Sequence, residues 1–276
     1  MFETEIAVVG AGHAGIEAAL AAARMGHDTV LFTMSLDSIA NLPCNPSIGG
    51  PAKGTLVFEI DALGGEMGRA ADAVTIQSRT LNLGKGAAVH SKRVQADRAA
   101  YHLLMKKTLE NTPRLRVVQA EIVDITTKEC EGGRRLCSLV TRLGEEWACK
   151  AAILCTGTYL EGRVFVGDKN YESGPDGFLA AKGLTAALER EGVRMMRFKT
   201  GTPARVKKSS IDLSVLEEQC GEERITPYCP DNGEDYFDSL EQIPCHIVYT
   251  NAETHRIIRE NIHRSALYSG QIHGTG

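Results

Sequence analysis

The chain has no apolar run approaching the roughly 20 residues that a bilayer-spanning helix needs, so no such helix is expected. Its first apolar stretch starts at Ile6 and reads as a strand, which leaves no signal peptide. The eight cysteines, at 44, 130, 137, 149, 155, 220, 229 and 245, never take Cys-x-x-Cys or zinc-ligand spacing. They are expected to be reduced, mostly buried thiols of a cytoplasmic protein, with no metal site among them. With one Trp, seven Tyr and seven Phe, platforms for stacking bases are too sparse to assign. Positive charge is not in excess: the formal net charge is −4, which argues against a generally basic nucleic-acid binder and leaves only local patches. Internal repeats and low-complexity segments are missing, so nothing points to a solenoid.

What is present begins at residue 6. The run Ile6-Ala7-Val8-Val9 leads straight into Gly10-Ala11-Gly12-His13-Ala14-Gly15 and then into an Ala-rich stretch before Gly26. The run predicts a parallel strand covered on both faces, and residues 14–25 predict a helix of good formers. Gly-x-Gly-x-x-Gly in that setting is a dinucleotide fingerprint. Its first glycine makes the turn, the second admits a pyrophosphate to the helix N-terminus, and the third packs helix on strand. Thr29-Val30-Leu31-Phe32 predicts a second strand, closing a βαβ unit. The acidic residue that normally holds the ribose about 20 positions past the fingerprint is missing. Thr33 ends the strand and Asp37 is the nearest carboxylate. A hydroxyl still bonds a ribose, and no Arg beside the strand end supports NADP.

The Gly/Pro-rich residues 41–54 form a long loop of the kind that is usually functional. Residues 55–63 predict a helix, and residues 95–109 an amphipathic one with Ala99, Leu103 and Leu104 on one face. Strands are predicted at 116–126, 136–143 and 146–148, with Glu131-Gly132-Gly133-Arg134 turning between the first two. Three antiparallel strands ahead of Ala151-Ala152-Ile153-Leu154-Cys155-Thr156-Gly157 recur in large flavin-binding folds. There the apolar run returns as a parallel strand whose Thr-Gly end approaches the cofactor. Residues 180–191 and 254–264 predict helices and 194–198 a short strand, while the acidic stretch 217–241, including Glu234, reads as a solvated face. A domain boundary is expected near residue 199.

Longer blocks are more selective. Pro43-Cys44-Asn45-Pro46-Ser47-Ile48-Gly49-Gly50, Lys53-Gly54, residues 59–65, Ile76-Gln77-Ser78-Arg79-Thr80-Leu81-Asn82, Arg93-Val94-Gln95-Ala96-Asp97-Arg98, Lys199-Thr200-Gly201-Thr202-Pro203 and Asn251-Ala252-Glu253-Thr254-His255 resemble the MnmG (GidA) family along the whole chain. The resemblance implies an α/β fold: a Rossmann-like FAD-binding domain of glutathione-reductase type with inserted antiparallel strands over residues 1–198. Residues 199–276 would begin a second α+β domain for nicotinamide or substrate. It implies a tRNA-modifying enzyme that works with the GTPase MnmE to add a carboxymethylaminomethyl, or aminomethyl, group to C5 of the wobble uridine. FAD would be its cofactor, NADH and methylene-tetrahydrofolate its co-substrates, and a homodimer its usual state. The match runs out at Gly274-Thr275-Gly276, where a Gly-Pro-x-Tyr-Cys-Pro-Ser segment would follow, so the chain is expected to be the N-terminal portion, inactive alone. Ala87, His90, Ala204 and Ala180-Ala181 depart from the family pattern and put single contacts in doubt.

Within that frame the cofactor candidates are Gly10, Ala11, Gly12, His13, Ala14, Gly15, Thr33, Asn45, Gly49, Gly50, Ile122, Thr156 and Gly157. Ile122 is a candidate through its backbone, although an isoleucine in a strand is more often plain core. Cys44 is either a thiol acting on folate or uracil, activated by a neighbour such as Lys53, or a small filler beside the cofactor. Lys199, Arg205 and Arg93 are candidates for tRNA phosphates or a folate tail, from two basic clusters: one spans Lys85, Lys92, Arg93, Arg98, Lys106 and Lys107, the other runs from Arg190 to Lys208. Two other classes fit less well: a folate- and FAD-dependent tRNA uridine-C5 methyltransferase, and a non-catalytic tRNA- or partner-binding module.

Overall fold

The opening apolar run forms β1 (Phe2–Val9), which the fingerprint turns into α1 (His13–Arg24) and back to β2 (Thr29–Thr33). The computed structural model describes residues 2–233 and 235–272; the end of the family match at 274–276 and Glu234 of the acidic stretch lie outside the described residues. Next come β3 (Ser47–Gly49), α2 (Gly54–Ala62), α3 (Met67–Ala73), β4 (Thr75–Leu81), β5 (Ser91–Ala96) and α4 (Arg98–Asn111). They are followed by β6 (Leu115–Gln119), β7 (Ile122–Cys130), β8 (Gly133–Thr141) and β9 (Glu146–Leu154). The last elements are β10 (Arg163–Val166), β11 (Lys169–Glu172), α5 (Leu184–Arg190), β12 (Glu217–Gln219), β13 (Cys245–Ile247) and α6 (Ala252–Asn261).

The main sheet runs β6-β2-β1-β9-β8-β7. Its first four strands are parallel, and β9, β8 and β7 are antiparallel neighbours. The fold is therefore α/β with a Rossmann-like parallel core. Successive residues of β1 point to opposite faces. Val8 joins Ile16, Leu20, Leu31, Tyr101 and Met105 on one side, while Ala7 and Val9 join Phe32, Leu139, Trp147 and Leu184 on the other.

Several sequence expectations need correction. The single strand expected at 116–126 is two, β6 and β7, because the chain leaves the edge of β2 at Ala120-Glu121 to pair with β8. The expected third inserted strand and the apolar return are one continuous strand, β9. It pairs with β8 through residues 146–148 and with β1 through Leu154. The loop 41–54 contains β3, which completes a three-stranded sheet β3-β5-β4 that the polar sequences of β4 and β5 concealed. Residues 193–197 form no strand. The buried stripe of α4 is Tyr101, Met105 and Leu109, at i, i+4 and i+8, whereas Leu103 is 63% exposed. Asp97 caps the helix, its Oδ1 accepting from the amides of Ala99 and Ala100 at 2.9 and 3.0 Å.

The chain beyond 199 returns to this second sheet. Buried Asp72, on α3, accepts from the amides of Tyr228 and Cys229 and from Asn232 Nδ2, each at 2.9 Å. Lys92, only 7% exposed, donates from Nζ to the Thr226 carbonyl and lies 4.0 Å from Asp72 and 4.5 Å from the Tyr228 ring centre. Burial pushes the Lys92 ammonium down to about 8, against the pull of Asp72 and Glu222. Burial likewise pushes the Asp72 carboxyl up, although its hydrogen bonds and Lys92 oppose it. Among the described residues no helix is long and apolar enough to cross a membrane.

Candidate functional site

The turn from β1 into α1 is built by contact. A Cβ on Gly10 would overlap the Cys155 carbonyl, and one on Gly15 would overlap the Gly10 carbonyl, so strand, helix and the end of β9 touch through glycine. Gly12 is different: a Cβ there would meet nothing within 4 Å. No side chain caps α1 and its first turn carries no acid. The Ile16 amide, bonded to the Gly12 carbonyl at 2.9 Å, closes the first turn. The amides ahead of it have no intrahelical acceptor. Glu17, one turn in, is directed away, accepting from the amides of Glu66 and Met67 at 2.7 to 3.1 Å. The result is a row of free donors at the positive end of a helix dipole, with open space in front, which fits a diphosphate. Ala11 is buried and Ala14 exposed. The turn after β9 lies alongside: the Cys155 amide donates to the Val9 carbonyl at 2.8 Å, and Gly157 beyond Thr156 has open space at its Cβ position.

His13 faces inward. Its ring stacks on Tyr101 with centroids 5.7 Å apart, and its Nε2 is buried without a hydrogen-bond partner. Burial pushes the imidazole below its ordinary value, so at neutral pH it adds no charge to the anion site. The unfolded chain binds that proton more tightly than the fold does. Stability is therefore full above the unfolded pKa, near about 6.5, and falls as pH drops below it. Thermal unfolding of wild type and His13→Phe between pH 7.5 and 5.5 should show the wild type losing more, by no more than about 1.4 kcal/mol per pH unit. Parallel curves would remove His13 as the cause.

At the end of β2, the Thr33 hydroxyl donates to the Ser35 carbonyl at 2.9 Å and lies 3.4 Å from Ser38 Oγ. Ile122 places its side chain in the core against Trp147 and Leu184. The long loop is fixed at both ends. Asn41 donates to Asp176 at 2.9 Å and accepts from Arg98, which also pairs with Asp176. This three-residue latch was not foreseen, since its members lie 57 and 135 positions apart from Asn41 in the chain.

Cys44 and the 199–205 block, separate in sequence, meet in the fold. The Cys44 thiol donates to the Gly201 carbonyl at 2.9 Å, and Arg205 Nη2 donates to the Cys44 carbonyl at 2.8 Å. Lys199 is half-buried on the same segment and Asn45 is exposed beside the thiol. Gly49 and Gly50 follow. A Cβ on Gly49 would overlap the Tyr228 hydroxyl and the Lys92 carbonyl, whereas one on Gly50 would meet open space. Several members of the two basic clusters are already engaged or buried. Lys92 is buried, Arg98 holds Asp176, Arg190 holds Asp124 and Arg197 donates to the Glu161 carbonyl.

A family model described as Glucose inhibited division protein A matches residues 5–276. The chain belongs to that family. Among curated relatives, the tRNA uridine 5-carboxymethylaminomethyl modification enzyme MnmG of Caldicellulosiruptor saccharolyticus is 53% identical over 99% of this chain and 43% of its own length. The MnmG of Alkaliphilus oremlandii is 54% identical over 99% of this chain and 42% of its own. A crystal structure of Aquifex aeolicus GidA superposes with a TM-score of 0.88 at 44% identity, covering 99% of this chain and 46% of that one. The chain thus spans less than half the length of the Glucose inhibited division protein A relatives it matches.

Proposed function

We propose that this chain is the FAD-binding part of a tRNA-modifying enzyme of the MnmG type. With the GTPase MnmE, that enzyme would add a carboxymethylaminomethyl or aminomethyl group to C5 of the wobble uridine. The observation that carries this reading is the start of α1: unpaired amides, no capping side chain and open space at Gly12, in a chain of this family. FAD, when bound, supplies the redox chemistry, with NADH as reductant and methylene-tetrahydrofolate as one-carbon donor.

The chain's own residues hold and shield. The amides of Gly12, His13 and Ala14 receive the diphosphate, and Gly10 and Gly15 keep strand and helix close enough to present them. Thr33 offers its oxygen to the ribose, with the Ile122 backbone towards the adenine. Thr156, Gly157, Asn45 and Gly50, together with Gly49, border the flavin. Cys44 stands beside it, held through both its thiol and its carbonyl. Lys199, Arg205 and Arg93 meet tRNA phosphates or folate carboxylates. The working compartment is the cytoplasm and the intact protein is a homodimer.

Two measurements test this. Titrating FAD into the protein should shift the flavin spectrum and raise the melting temperature, with partial occupancy. Colourless protein that still binds tRNA would instead favour a binding module. In a full-length version, Cys44→Ser should abolish wobble-uridine modification, measured by nucleoside mass spectrometry, while flavin stays bound. Full modification by that variant would end the catalytic role of Cys44.

A further inference from the structure

The sheet β3-β5-β4 carries two arginines side by side. Arg79 on β4 stands directly opposite Arg93 on β5, and Gly49 of β3, opposite Arg93 on the other side, adds no side chain. Directly opposed residues place their Cβ atoms about 4.5–5.5 Å apart on one face, and like charges in that position repel. Among the described residues neither arginine has a carboxylate partner. Arg79 Nη1 donates only to the Cys220 carbonyl at 2.6 Å. Arg93 Nε is buried with no hydrogen-bond partner among the described residues. The row beside them is neutral, Gln77 opposite Gln95. Two half-buried cations with no counter-ion and an orphaned donor describe a site whose missing component is an anion.

We propose that Arg79 and Arg93 form an oxyanion subsite that takes a phosphate or carboxylate group of the substrate, Arg79 being a binding residue that lies in the 76–82 block but in neither basic cluster. The guanidinium pair offers several N–H donors to one planar or tetrahedral oxyanion, and occupancy relieves the repulsion across the strands. Cys44 lies three residues before β3, the strand that neighbours β5. The inference rests on the functional reading above only for the source of the anion, RNA phosphate or folate carboxylate.

The test uses the wild-type chain, so no variant has to fold. Phenylglyoxal modification of each arginine is followed by peptide mass spectrometry in sodium chloride and in sodium phosphate of equal ionic strength. Phosphate at about twice its dissociation constant should slow modification of Arg79 and Arg93 about threefold. Arg134 and Arg256, which already hold carboxylates, should react as before. Unchanged rates at Arg79 and Arg93 overturn the subsite. An anticodon-hairpin RNA and pteroyltriglutamate then replace phosphate. Protection by the RNA identifies a phosphate, and protection by pteroyltriglutamate but not by pteroic acid identifies a carboxylate. If inorganic phosphate protects and neither of these does, the subsite stands and the substrate reading fails.

Discussion

Gly12→Val should bind FAD at least about 100-fold more weakly than wild type, a loss of about 2.7 kcal/mol, while unfolding within about 0.5 kcal/mol of it. The two halves of that result have separate causes. In the ligand-free fold a Cβ at Gly12 meets nothing, and its backbone, at φ −76° and ψ −176°, is extended conformation that valine adopts readily. The added isopropyl group instead occupies the space in front of the first amides of α1, where a diphosphate would accept charge-assisted hydrogen bonds worth about 1.5–3 kcal/mol each. Gly15→Ala is the control with the opposite profile. Its methyl group would overlap the Gly10 carbonyl and approach Cys155 Cβ to 3.3 Å, so it should destabilise the fold by about 3 kcal/mol, the upper end for overpacking. Fluorescence titration with FAD and urea denaturation of both variants measure this. Equal FAD affinity in Gly12→Val and wild type would place the cofactor elsewhere.

Asp72→Ala should lower stability by about 3–5 kcal/mol, the range for breaking a buried charged network. The change removes the acceptor for two buried amides and the Asn232 side chain, and leaves Lys92 without its nearest carboxylate. Each orphaned buried donor costs about 1–3 kcal/mol. Those donors hold the Tyr228 segment against the second sheet. Protease cleavage between residues 199 and 247 should therefore accelerate before the parallel core unfolds. A midpoint in urea equal to that of wild type would show that Asp72 does not hold the segment.

The sequence disclosed the parts of this fold where periodicity and backbone need coincide. Val8 and Val9 bury on both faces of β1, and Gly10, Gly12 and Gly15 each have a steric or open-space reason to be glycine. It concealed the second sheet, because β4 and β5 put Gln77, Arg79, Lys92 and Arg93 where an alternation rule looks for apolar residues. Polar residues in a half-buried strand carry no hydrophobic period. The face of α4 was legible only in part. Of the expected face, Leu104 packs partly buried against the core while Ala99 and Leu103 are exposed, and the fully buried stripe is Tyr101, Met105 and Leu109. Cys44 was legible as a thiol among glycines and prolines. Its clasp by Gly201 and Arg205 was not, since 157 and 161 residues separate the partners.

One strand, β9, serves two masters: its first third is zipped to the hairpin and its whole length to β1. The exposed β8–β9 turn at Leu143-Gly144 and the Thr156-Gly157 turn are therefore opposite ends of one ruler. Evolution or an engineer can lengthen the Leu143-Gly144 turn, and a fluorescent tag or epitope inserted there should leave the nucleotide end undisturbed. A residue deleted from within β9 would instead reverse the inward and outward positions beyond the deletion.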